Sequence, residues 1–151
     1  MTTAYPISRG LPDPIYEADI YRDVPTKRLF AWVIDVALIA AMVMVLTLFS
    51  FLTALFFLPL LWAIVSFLYR WSTLAGGSAT LGMRFMAIEI RQGDGSPLDG
   101  QSALLHTAGY FVSVVTFPLQ LISIAMMLGT ARKQGLTDAV LGTAAVNRGR
   151  M

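Results

Sequence analysis

From Leu29 to Tyr69 the chain runs for about forty residues of Leu, Phe, Val, Ala, Ile and Met with Asp35 as its only charge. One helix crosses the hydrocarbon of a bilayer with roughly 20 apolar residues, so this run has the length of two crossings joined by a tight turn. Its most polar point is Ser50 to Thr53, which predicts helices over Lys27–Phe49 and Leu52–Trp71, the second bent by Pro59. Lys27 and Arg28 stand at one end of the hairpin and Arg70 at the other. Basic residues favour the cytoplasmic side, so both ends and the N-terminus are expected there, with the turn facing out.

Composition agrees: 56% of the residues are hydrophobic and 13% charged, against roughly 45–50% and 25% in soluble domains. The basic residues are scattered and net charge is only +2, which gives no stripe to follow a phosphate backbone and argues against nucleic-acid binding. With no cysteine, thiolate catalysis, Cys-ligated zinc and iron–sulfur clusters are excluded. One histidine, His106, makes a His-based metal site improbable and reads as a hydrogen-bonding side chain near an interface. No cofactor is expected. The first apolar run begins after about 28 more polar residues and is too long for a signal peptide core, so no cleavable signal is expected.

These signals divide the chain into an N-terminal polar tail (1–26), a membrane domain (27–146) and a short C-terminal tail (147–151). The first part, with Pro6, Pro12, Pro14, Pro25, Tyr5, Tyr16 and Tyr21, has no sustained period and reads as an extended tail or surface strap. Between Ser72 and Gly100, Arg84 to Arg91 alternates polar and apolar residues before Gly93-Asp94-Gly95-Ser96-Pro97, a short strand and turn expected in the cytoplasm or at the interface. A third apolar segment, Ser102 to Leu128, is interrupted by His106, Pro118 and Gln120. It admits one span kinked at Pro118 or a re-entrant pair, and only the pair keeps Arg132, Lys133, Arg148 and Arg150 inside. Gly129 to Met151 reads as a short amphipathic or extended element lying back on the bundle. The fold class is thus an all-α membrane protein, a small bundle of three transmembrane segments with a cytoplasmic strand and turn.

An acidic side chain at membrane depth is a functional candidate by default. Arg28 and Asp35 share one helix face, but seven residues at about 1.5 Å each put their backbones roughly 10 Å apart. Asp35 is therefore expected to meet a cation from elsewhere, Arg84, Arg132 or Lys133, while Arg28 reaches headgroups or Asp138. An Asp at a helix centre costs about 2.5–3.5 kcal/mol on insertion and each large apolar residue returns about 0.3–0.6, so the first helix tolerates Asp35 without any transport role. Ala37 and Ala41 form a small-xxx-small pair suited to close helix contact.

Lys27-Arg28-Leu29-Phe30-Ala31-Trp32-Val33-Ile34-Asp35, Thr80-Leu81-Gly82-Met83-Arg84, Asp94-Gly95-Ser96-Pro97-Leu98 and Gln134-Gly135-Leu136-Thr137-Asp138 together resemble, in order, the pattern of the RDD family of small bacterial membrane proteins. The family is named for one arginine and two aspartates, which the resemblance places at Arg28, Asp35 and Asp138. Leu81 stands where members often have proline, Met83 where they have lysine, and Thr137 where a histidine often precedes the second aspartate. The resemblance implies a membrane domain over roughly Thr26 to Val146, in a bacterial cytoplasmic (inner) membrane.

The functional expectation is a non-catalytic accessory or assembly subunit of a larger membrane complex, surrounded by lipid and contacting other membrane subunits or copies of itself. The alternative is an oligomeric cation or proton transporter using Asp35. No nucleophile–base pair can be assembled, so an enzyme is not expected. Arg28, Asp35, Arg84 and Asp138 are the candidate structural or ion-pair residues.

Overall fold

The apolar run folds into a helical hairpin. A computed structural model describes residues 10–150, and within it α1 (Ala18–Tyr21) leads into α2 (Val24–Phe49), a 3-10 turn (Thr53–Phe57) and α3 (Leu58–Ala75). At 1.5 Å per residue α2 is about 39 Å long, enough to cross the roughly 30 Å of hydrocarbon. It starts three residues before Lys27 because Pro25 occupies its first turn, where no backbone N–H is needed. The same reason corrects the expected bend in α3: Pro59 sits in the first turn of that helix and begins it instead of bending it.

The hairpin turns where Ser50 intervenes. Its Oγ donates to the Thr47 carbonyl at 2.8 Å and accepts the Ala54 N–H at 3.1 Å, while Phe51 and Leu52 take left-handed conformations with φ 51° and 65°. Beyond Val24 in its first turn, the buried residues of α2 are Ala31, Asp35, Ile39, Val43 and Thr47, spaced four apart along one stripe. Leu29, Met44, Leu48, Phe49, Phe56 and Leu60 lie exposed, as side chains meeting lipid do.

After α3 come α4 (Leu81–Phe85) and β1 (Ile88–Arg91). The predicted strand is thus halved: Thr80 caps a helical turn by accepting the Met83 N–H on Oγ1, which takes Arg84 and Phe85 out of the strand. The third apolar segment is two helices, α5 (Gly100–Val115) and α6 (Phe117–Gly129), bent through 115°. Pro118 again lies in a first turn, and without its N–H the ladder of α5 stops at the bond from Thr116 to Val112. Two helices are long and apolar enough to cross a membrane, or three crossings if the bent pair counts as one.

The C-terminal segment forms α7 (Leu136–Leu141) and β2 (Ala144–Asn147), with Gly142 in the left-handed cap position at φ 68°. β2 pairs antiparallel with β1, Ile88 opposite Asn147 and Arg91 opposite Ala144, so a two-stranded sheet supplements the expected all-α architecture. Residues 10–22 strap onto this sheet. The Leu11 N–H reaches the Gly93 carbonyl, Tyr21 donates to the Pro12 carbonyl, the Asn147 amide donates to the Asp19 and Arg22 carbonyls, and Leu11, Ile20, Tyr21, Ala144 and Val146 form one cluster. Tyr16 stays exposed, and Tyr5 and Pro6 lie outside the described residues.

Candidate functional site

Two polar nodes are built on this frame, one around each aspartate. Asp35 lies on the buried stripe of α2, facing the end of α3 and the start of α4. Tyr69 donates to Oδ1 at 2.6 Å, Thr80 donates to Oδ2 at 2.6 Å, and the Gly82 backbone N–H donates to Oδ1 at 2.9 Å. Tyr69 in turn accepts the Leu81 N–H. The glycine is required by this approach: a Cβ at position 82 would stand 2.8 Å from Asp35 Oδ1 and against the Ala31 carbonyl. Three donors on one carboxylate replace the water it would have outside the membrane.

This corrects the expected pairing of Asp35 with a cation. Among the described residues no Arg, Lys or His forms an ion pair with it. Arg84 instead donates from Nε to the Ala79 carbonyl and from Nη2 to the Thr73 carbonyl, tying the end of α3 to α4. Lys133 donates to the Leu128 carbonyl, and Arg132 lies on the loop before α7 with its Nε buried and without a partner. The physical reason is local: α4 begins directly over Asp35, so hydroxyl and backbone donors occupy its oxygens before a long cationic side chain can reach them.

Asp138 forms the second node. Arg28 Nη1 donates to Oδ2 at 2.5 Å, and His106 Nε2 lies 2.9 Å from Oδ1. The Gly135 N–H reaches Oδ2 at 3.1 Å, and the Thr143 hydroxyl reaches Oδ1 at 3.0 Å. Burial alone would push the Asp138 carboxyl up. The Arg28 charge and the His106 contact overcome this and hold it well below the usual carboxylate range. An ionised Asp138 only accepts, so the facing ring nitrogen of His106 carries a proton. His106, expected as a hydrogen-bonding side chain near an interface, is buried and completes this node.

Both nodes border one cleft of about 550 Å³ between α2, α3, α5, α6 and α7. Arg70, on α3, lines it and is 7% exposed. Its guanidinium lies 4.0 Å from the Tyr110 ring centroid, a cation–π contact, and it has no carboxylate partner among the described residues. Tyr110 accepts the Trp32 indole N–H, joining α5 to α2 across the cleft. Thr107, fully buried one turn before Tyr110, has a hydroxyl without any partner. No group of three or more metal-ligating side chains occurs among the described residues.

The profile of the RDD family matches residues 23–142, most of the chain and, Thr143 apart, all of both nodes. The chain belongs to the RDD family. Within this RDD protein the arginine and the second aspartate, Arg28 and Asp138, are in contact, whereas the first aspartate, Asp35, belongs to a separate set of bonds. The Thr80-Leu81-Gly82 segment supplies two of its three donors. No curated protein and no solved structure matches this RDD chain.

Proposed function

We propose that this RDD protein is a non-catalytic accessory or assembly subunit of a membrane complex, with a cleft, mostly apolar and polar at one end, as its binding element. The observation that carries this reading is the state of the two aspartates. Each Asp35 oxygen and each Asp138 oxygen is already engaged by the chain's own donors, so neither is left to bind and release a cation. What the molecule offers instead is surface: apolar helix faces, and a cleft flanked by a bent helix pair.

In this reading the chain crosses a bacterial inner membrane twice, and α5 and α6 enter and return on the side of the sheet. β1 follows the second crossing and β2 ends the C-terminal segment, so their pairing requires both to lie on one side. The N-terminal strap packs on β2 and belongs there too. Lys27, Arg91, Arg148 and Arg150 then stand together on the cytoplasmic face, as the positive-inside bias favours.

The test is isolation of the tagged full chain from native membranes in mild detergent, with quantification of what remains bound. A partner membrane protein at fixed stoichiometry is expected; a clean homo-oligomer without one overturns the subunit reading. The alternative, an oligomeric cation or proton transporter using Asp35, draws support from the polar lining of the cleft, to which Asp35 contributes. It requires proteoliposome flux that drops in Asp35→Asn, and equal flux removes it.

A further inference from the structure

The cleft has a polar end, an apolar rim and a buried guanidinium without a hydrogen-bond acceptor. Arg28 and Arg70 face Asp35 and Asp138 in its lining, so the formal charges balance but the hydrogen bonds do not. Arg28 is matched by Asp138, and the Asp35 oxygens are filled by Tyr69, Thr80 and Gly82, but Arg70 has only the face of Tyr110. A guanidinium presents five N–H donors, those of Arg70 bond to no acceptor of the chain, and none of its nitrogens is among the sealed, unpartnered atoms, so they can take an acceptor from the cleft. Thr107 lines the cleft one helical turn from the tyrosine on which Arg70 rests, but its hydroxyl is closed off from it.

The rim says what kind of molecule carries the anion. Leu29, Trp32, Ile124 and Leu128 line the cleft, yet each is between 44% and 64% exposed, continuous with the lipid-facing surfaces of α2 and α6. α6 finds its main neighbours in α5 and α7, leaving the α2 side open. Depth agrees: Arg28 lies near the start of α2, Arg70 near the end of α3 and Thr107 in the first half of α5, all at the end of the bundle that carries the sheet. That is the level at which lipid phosphates sit.

We propose that the cleft binds one anionic phospholipid, its phosphate held by Arg70 and its acyl chains leaving between α2 and α6. Arg28, which spends only Nη1 on Asp138, lines the same cleft and adds positive potential. The inference rests on the membrane placement proposed above but not on the existence of a protein partner.

The test uses the full chain in phosphatidylcholine nanodiscs, titrated with phosphatidylglycerol and followed by native mass spectrometry. Wild type should retain one phosphatidylglycerol with roughly tenfold or greater preference over phosphatidylcholine, the scale of one charge-assisted contact. Arg70→Met should abolish the preference and Arg70→Lys should restore part of it. Should Arg70→Met fail to fold, Arg70→Gln decides. It keeps a polar tip beside Tyr110 while removing the charge, so it should weaken retention severalfold. Inorganic phosphate at millimolar concentration should not displace the lipid; stoichiometric displacement would show a free-phosphate site and overturn the amphiphile. Equal retention by wild type and a folded Arg70→Met or Arg70→Gln variant overturns the proposal, as does an Arg70→Met change that releases a protein partner while lipid retention stays unchanged. Partner recovery without lipid preference would sink this inference and leave the subunit reading standing.

Discussion

Arg28 Nη1 and Asp138 Oδ2 lie 2.5 Å apart across 110 positions of sequence, and this pair fastens the first membrane helix to the C-terminal segment. Asp138 is fully buried and the Arg28 side chain is 14% exposed, so removing one partner strands the other in low dielectric. Arg28→Met should destabilise the fold by about 3–5 kcal/mol. The double variant Arg28→Met, Asp138→Asn should lose less than the sum of the single changes, because neither charge is then left alone. Reversible unfolding in mixed micelles measures both, and strict additivity would show that the pair contributes no coupling.

The pH dependence follows from the same carboxyl. Its folded-state ionisation is depressed, so its contribution is complete above the unfolded value of about 3.9 and is lost as pH falls toward the folded value. Thermal stability should therefore decline from about pH 5 downward. Exposed Asp94 and Asp99, held low by the backbone N–H groups and hydroxyls of Ser96 and Ser102, titrate in the same direction. The difference between wild type and Asp138→Asn isolates the buried group. If the two proteins show the same slope, Asp138 is not the acid-sensitive element.

At the other node the expected cost is steric. Gly82→Ala places a methyl group against Asp35 Oδ1 and the Ala31 carbonyl, so α4 must lift away and the Gly82 and Thr80 donors go with it. Losing two such bonds to a buried carboxylate should cost about 2–5 kcal/mol, more than an ordinary Gly→Ala change in a helix, which stabilises. Tyr69→Phe, which removes one donor and no volume, should cost about 1–3 kcal/mol in the same unfolding assay. A neutral Gly82→Ala would mean that α4 does not sit over Asp35.

How far the residues alone reached differs between the two nodes. The hairpin was legible because roughly forty apolar residues with one charge admit few alternatives, and the Arg28–Asp138 contact was among the options that reading left open. Asp35 was misassigned because charge was matched to charge, whereas its partners are a phenol, a hydroxyl and a backbone N–H. One signal was present. Reflecting Asp35 through a turn centred on Phe51 and Leu52 lands within one residue of Tyr69 on the returning helix. Nothing comparable pointed to His106, since its partner is 32 residues away beyond a break at Thr116 that periodicity does not place. The β1–β2 pairing was hidden for the same reason: two four-residue strands separated by more than fifty residues carry no local sign of each other.

That pairing makes membrane topology the sharpest remaining prediction. The chain has no cysteine, so single Cys residues can be introduced and labelled with a membrane-impermeant maleimide without background. With two crossings and a re-entrant α5–α6 pair, Cys at Ser96, Lys133 and Arg148 should all be protected in intact cells and react after permeabilisation. Cys at Thr53, in the hairpin turn, should react in intact cells. A third crossing would move Lys133 and Arg148 to the outside while Ser96 stayed inside, pulling β2 away from β1 and Asp138 away from Arg28. Labelling of Lys133→Cys in intact cells would therefore overturn the topology and, with it, the sheet, the strap and the cleft that depend on both ends meeting on one side.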